Sequence, residues 1–169
     1  MVTEVQGLAV RFWNVEFQEL YARHLCRHSQ FGNNIVHLLC LIGVYFGLYG
    51  LAYTLVPSPW ILVGIAVPYL LLLAVNLPIR VWITTALFLA GFCAGFLTVP
   101  RIPFWWYLIA VVVFYKIQSW SHKVFTKESD MSEFDRKYVK GIPLFVLLSL
   151  YEMPMLLKYL LFGRRDWRA

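Results

Sequence analysis

The sequence holds four histidines, and three of them fall in the single stretch RHLCRHSQFGNNIVH, as His24, His28 and His37. The fourth, His122, stands in QSWSHKVF. A neutral imidazole is a ligand for iron, copper, zinc or nickel. His24 and His28 are four residues apart, as are Gln118 and His122, and on a helix that spacing turns two side chains to one face. Asn33, Asn34, Gln118 and Ser121 are residue types that orient imidazole rings through hydrogen bonds. The bland alternative for any of these histidines is an interfacial side chain bonded to lipid headgroups, and it weighs most for His24.

Chemistry of this kind needs elements that bring the four together. The chain has 169 residues, of which 60% are apolar and 14% charged. A soluble domain has roughly 45–50% apolar and about 25% charged residues. The excess here is gathered into long uniform runs, which predicts an integral membrane helical bundle in one domain, 1–169, rather than a barrel of alternating strands. Residues 7–28 mix apolar and charged positions at helical spacing and predict an amphipathic interfacial arm. Four spans are expected, over 34–55, 60–75, 81–99 and 104–120, and the second is short and contains Pro68. The links VPSP, NLPIR and VPRIP are tight and force antiparallel neighbours. Trp60, Trp82, Trp105, Trp106 and Trp120 fall near span ends, as an aromatic belt requires. Residues 122–140 read as a polar loop with a short helix begun at Ser129 or Ser132, and Glu128 and Asp130 as solvated positions.

Four spans put the arm, the NLPIR turn and the 122–140 loop on one side. That side carries Arg11, Arg23, Arg27, Arg80, Lys123, Lys127, Arg136, Lys137 and Lys140, whereas the other carries Arg101. The bias predicts that the arm and loop are cytoplasmic. The apolar segment 141–162 is followed by Arg164, Arg165 and Arg168, so a re-entrant or interfacial course is favoured over a fifth span. His37 opens the first span and His122 closes the fourth. All four histidines therefore converge on one level of the cytoplasmic face. Glu152, embedded in the last apolar segment, is a partner for Lys158, a carboxylate at the site, or an interfacial residue. Lys116 reads as a side chain that snorkels to the interface.

Several classes are disfavoured. The net charge of +6, from fifteen Lys and Arg against nine Asp and Glu, fits positive-inside topology and needs no nucleic acid. Cys26, Cys40 and Cys93 form no CxxC pair, and Cys40 and Cys93 lie in apolar runs, so neither a disulfide framework nor a thiolate site is expected. The start MVTEVQGLAVRFW lacks the basic head and apolar core of a cleavable signal.

The motifs are similar to those of the membrane 2-hydroxy fatty acid dioxygenases, whose fungal member acts in fatty acid α-oxidation. That family has a His, an Asn and a second His nine positions after the first, matched by His28, Asn33 and His37. Its second motif, Gln-x-x-Gly-His with a following Phe, resembles Gln118, His122 and Phe125. The stretch PLFVLLSLYE resembles its Pro-led apolar segment with an embedded Glu. Here Ser121 replaces the motif Gly, Thr126 replaces a Glu, the Pro-Ala of the next loop is absent, and His24 stands at an aromatic position.

The resemblance implies an Fe(II) oxygenase that uses O₂ to shorten a 2-hydroxy fatty acid by one carbon. His24, His28, His37 and His122 would be the metal ligands. His28, His37 and His122 would be the catalytic residues, with Asn33, Gln118, Ser121 and Glu152 around them. Charge position alone suggests that Arg27 or Lys123 attracts the substrate carboxylate. Two other readings compete: a different lipid- or isoprenoid-modifying membrane enzyme, and a non-enzymatic membrane subunit. No internal repeat of the kind seen in transporters is visible.

Overall fold

The computed structural model describes residues 15–125 and 141–167. The described part is all helical: α1 (Phe17–Arg27), α2 (Phe31–Leu55), α3 (Trp60–Ala74), α4 (Ile79–Thr98), α5 (Phe104–Phe125) and α6 (Ile142–Phe162), then a short 3₁₀ turn (Arg164–Asp166). Three of these, α2, α4 and α6, are long and apolar enough to cross a membrane. The chain is thus a membrane protein of helical class. The span expected over 60–75 is an apolar helix of 15 residues, shorter than a typical crossing of about 20. It continues through Pro68.

Two boundaries move. Helix α2 begins at Phe31 rather than Asn34. Asn34 lies in its first turn, where its amide donates to the backbone oxygens of His28 and Gln30 and so satisfies carbonyls at the α1–α2 corner. Helix α5 runs to Phe125. His122 and Lys123, expected to open the loop, are therefore helical, and Phe125 packs against Gly32 at the start of α2. The remainder of the 122–140 loop, with Thr126, Glu128 and Asp130, lies outside the described residues, as do residues 7–14 of the arm.

The contact between α2 and α5 sets the geometry that matters. A Cβ added at Gly43, Gly47 or Gly50 would come within 2.2, 2.5 and 2.1 Å of Phe114, Val111 and Tyr107 respectively. Small residues at these positions let the two backbones approach closely, as in other membrane helix pairs. With Gly32 against Phe125, the four contacts run antiparallel along both helices. Continued to the end, they bring the first turns of α2 beside the last turns of α5.

Helices α1 and α6 close that end. The Val15 amide donates to Asn76 Oδ1 at 2.8 Å, and Asn76 Nδ2 donates to the Tyr151 hydroxyl at 2.8 Å. At the other end of both helices, the Tyr159 hydroxyl donates to the Ser29 carbonyl at 2.7 Å. So α1 and the 151–159 part of α6 run side by side from the α3–α4 turn to the α1–α2 corner. Phe17, Leu20 and Tyr21 of α1 share a buried cluster with Leu144, Leu147, Tyr151, Met155 and Tyr159 of α6 and with Leu73, Leu77 and Val81 at that turn. The opposite flank of α6, through Met153, Leu156 and Leu157, joins the bundle core with Leu41, Tyr49, Leu89 and Phe96. Trp60, Trp105, Trp106 and Trp120 face outward near helix ends, while Trp82 is half-buried and donates to the Leu70 carbonyl.

Candidate metal centre

His28 follows the last turn of α1, His37 lies in the second turn of α2, and His122 lies in the last turn of α5. One ligand nitrogen from each lies within 4.8 Å of the others. Their ring centroids are 4.4 Å apart for His28 and His37, and 4.7 Å for each pair with His122. The three rings stand nearly perpendicular to one another, with interplanar angles of 84°, 75° and 76°. Packed aromatic rings also take this T-shape, so it is the approach of the three nitrogens, and not the ring angles, that marks the group.

Hydrogen bonds assign the protons. His28 Nδ1 lies 3.2 Å from the His24 carbonyl, and His37 Nδ1 lies 2.9 Å from Glu152 Oε1. The His24 carbonyl only accepts, so His28 Nδ1 carries a hydrogen, and an ionised Glu152 accepts from His37 Nδ1; with neutral rings the lone pair of each lies on Nε2. Both Nε2 atoms are buried and have no hydrogen-bond partner among the described residues. A buried nitrogen lone pair without a partner is costly, and a divalent cation satisfies it. The donor set fits a metal that accepts imidazole, with room among its ligands for non-protein groups.

His24 is held differently. Its ring stacks on His28 at 4.2 Å with an interplanar angle of 1°, and its Nε2 lies 2.8 Å from Asn34 Oδ1. The Asn34 amide is committed to two carbonyls, so Oδ1 accepts and His24 Nε2 is the protonated nitrogen. His24 therefore packs behind His28, outside the group of three. Burial pushes its pKa down to about 3 and pushes that of His28 down as well, so both are neutral at pH 7.

A shell of polar side chains surrounds the three rings. Asn33 is buried, donates to the Arg27 carbonyl at 3.3 Å, and accepts from the Ser121 hydroxyl at 2.9 Å. That last bond pins α5 to α2 one residue before His122. The Gln118 amide donates to Glu152 Oε1. Of the three roles open to Glu152, the structure places it against His37. Lys158 donates instead to Gln18 Oε1 at 2.6 Å and lies over the Tyr21 ring. Arg27 and Lys123 are exposed, each next in sequence to a histidine of the group.

The sequence reading missed the glycine contacts and the Asn76–Tyr151 and Tyr159–Ser29 bonds. The glycines had a signal: Gly43 and Gly50 are seven residues apart, as are Tyr107 and Phe114, the large side chains they face. The two bonds join residues 75 and 130 positions apart and left none.

Comparison with protein-family models, curated proteins and solved structures returns no match.

Proposed function

We propose that this protein is a membrane Fe(II)-dependent dioxygenase that shortens a 2-hydroxy fatty acid by one carbon. The observation that carries the reading is the meeting of His28, His37 and His122, with two buried Nε2 atoms that have no hydrogen-bond partner among the described residues. The match of these residues to the motifs of the 2-hydroxy fatty acid dioxygenases supplies the substrate class. The reaction balances as one hydroxy acid and one O₂ giving the shorter acid, carbon dioxide and water.

The iron, held by the three imidazoles, would supply a Lewis-acid centre with open positions for the hydroxy acid head and for O₂. The chain supplies the rest. His28 and His37 present their Nε2 atoms, each with its Nδ1 engaged on the far side of the ring. Asn33 and Ser121 hold the α1–α2 corner against α5, which keeps His122 in register with the other two. Arg27 and Lys123 lend positive charge to the rim and favour an anionic head there. The acyl chain lies among the apolar helices.

In this reading α2, α3, α4 and α5 cross the membrane, the histidine end is cytoplasmic, and α6 lies across that end beside α1. The pairing of Tyr151 with Asn76 and of Tyr159 with Ser29 supports that course, because both partners sit in links at one end of the bundle. The positive charge on the arm, the NLPIR turn and the tail supports the orientation. Reporter tags at the two termini are expected on the same, cytoplasmic side, and opposite sides would make α6 a fifth crossing.

The experiment for the activity is elemental analysis after purification in mild detergent, beside the His37→Ala/His122→Ala double variant. About one iron per chain is expected, lost in the variant, as an imidazole-held iron requires. The iron-loaded protein is then expected to release carbon dioxide from a 2-hydroxy acid under O₂. A different stoichiometric metal would keep the site and overturn the reaction. No metal after anaerobic Fe(II) loading would overturn both.

A further inference from the structure

Glu152 sits in the middle of an apolar helix, and its side chain is 18% exposed. Its Oε1 accepts from His37 Nδ1 and from the Gln118 amide. Two helices, α2 and α5, thus bring donors to one carboxylate oxygen on a third. An acidic group among lipid-facing helices is costly unless paired, and its pairing marks function by default. The cation nearest in sequence, Lys158, is engaged with Gln18 and Tyr21. The partner of Glu152 is His37.

A neutral imidazole has one proton to place. An acceptor at Nδ1 fixes that proton there and stops the ring from turning over. Without it, the proton is free to move to Nε2, where it would block the lone pair. A carboxylate acceptor does more than an amide oxygen, because its charge also makes the far nitrogen a stronger ligand. The Gln118 amide holds the carboxylate oxygen in place and comes from the helix that carries His122.

We propose that Glu152 is a positioning residue: braced by Gln118, it holds the His37 ring with its Nε2 lone pair turned toward His28 and His122, and so sets the affinity of the site for a divalent metal. The inference rests on the metal-centre reading above. It adds a carboxylate to a site whose ligands are all neutral, and it assigns a purpose to α6, which carries no histidine.

The test uses the full chain in detergent. Anaerobic Fe(II) binding is measured in competition with a chromophoric chelator for the unaltered protein, Glu152→Gln and Glu152→Ala. In parallel, nitrogen-15 spectra of the metal-free proteins report which ring nitrogen of His37 is protonated, with the signals assigned by their loss in His37→Ala. Removing such a partner lowers metal affinity about 10–100-fold, which is the loss expected for Glu152→Ala. Glu152→Gln keeps an acceptor of the same reach without the charge, and is expected to fall between the other two. His37 of the unaltered protein is expected to be protonated on Nδ1, and that of Glu152→Ala to be a mixture.

A shape-filling role for Glu152 would move neither readout in Glu152→Gln. Equal Fe(II) affinity in Glu152→Gln and the unaltered protein therefore overturns the proposal, even if Glu152→Ala fails to fold. A proton on His37 Nε2 in the unaltered protein overturns it too. Failure of the unaltered protein to take up Fe(II) overturns the metal-centre reading itself, whereas equal uptake with and without the carboxylate overturns only the role of Glu152.

Discussion

The two ends of this bundle differ in how they treat polar groups. At the end where α2 begins and α5 finishes, Asn33, Asn34, His37 and Ser121 are buried, and their bonds join α1, α2, α5 and α6. At the other end polar side chains stay local or exposed. Thr98 bonds to a carbonyl of its own helix, and Arg101 meets the Tyr53 hydroxyl at 3.2 Å at an exposed position. That end also holds an apolar groove of about 330 Å³ between α3 and α4, lined by Leu62, Val63, Ala66, Ala90 and Ala94 among others. Burying polar groups beside lipid is expensive, so their concentration at one end marks that end as the candidate site. The size of a pocket does not.

The sharpest break of this comparison is a single methyl group placed in each region. At Gly47 a Cβ would stand 2.5 Å from Val111 and 2.6 Å from the Tyr107 backbone oxygen, and backbone cannot swing aside. At Gly91, on the outer side of α4, a Cβ would meet nothing within 4 Å. Gly47→Ala is expected to lower stability in detergent by about 1–3 kcal/mol, the usual cost of overpacking. It should also weaken metal binding, because the α2–α5 contact sets the spacing of His37 and His122. Gly91→Ala is expected to leave metal binding unchanged and to leave stability equal or higher by up to about 1 kcal/mol, since Ala favours helix. Thermal unfolding and Fe(II) uptake of the two variants check this. Equal losses in both would mean that the α2–α5 contact does not hold the site.

The parts legible in the sequence were those with a local or periodic cause. Long apolar runs broken by Pro predict the helices, and an antiparallel order alone puts His37 and His122 at one level. Boundaries slipped where a long-range contact decided them. Asn34 reads as the first residue of its span until its amide is seen to serve the carbonyls of His28 and Gln30, from within a helix that begins at Phe31. Phe125 reads as loop until Gly32 is seen to receive it. The role of Glu152 was open among three readings because its acceptor bond reaches across 115 residues, and no spacing rule covers that distance. His24 and His28 are four apart on one helix, and spacing alone turns both to one face. A single side chain, Asn34, separates them by committing one nitrogen of His24 to a hydrogen bond.

That separation yields the smallest expected effect. If His24 only backs the His28 ring, His24→Ala removes a stacked neighbour and leaves all three ligand nitrogens in place. Losing one such supporting contact should cost less than the roughly 10–100-fold that follows loss of a direct partner of a ligand. A loss of Fe(II) affinity below about tenfold is therefore expected, against near-complete loss in the His37→Ala/His122→Ala variant. Arg101→Ala at the far end serves as the control and should not change affinity at all, because Arg101 touches Tyr53 and no residue of the histidine group. The order of the three variants is the test. If His24→Ala releases the metal as completely as the double variant, His24 is itself a ligand. The Asn34 bond would then have to break when the metal binds, and the centre would hold four histidines rather than three.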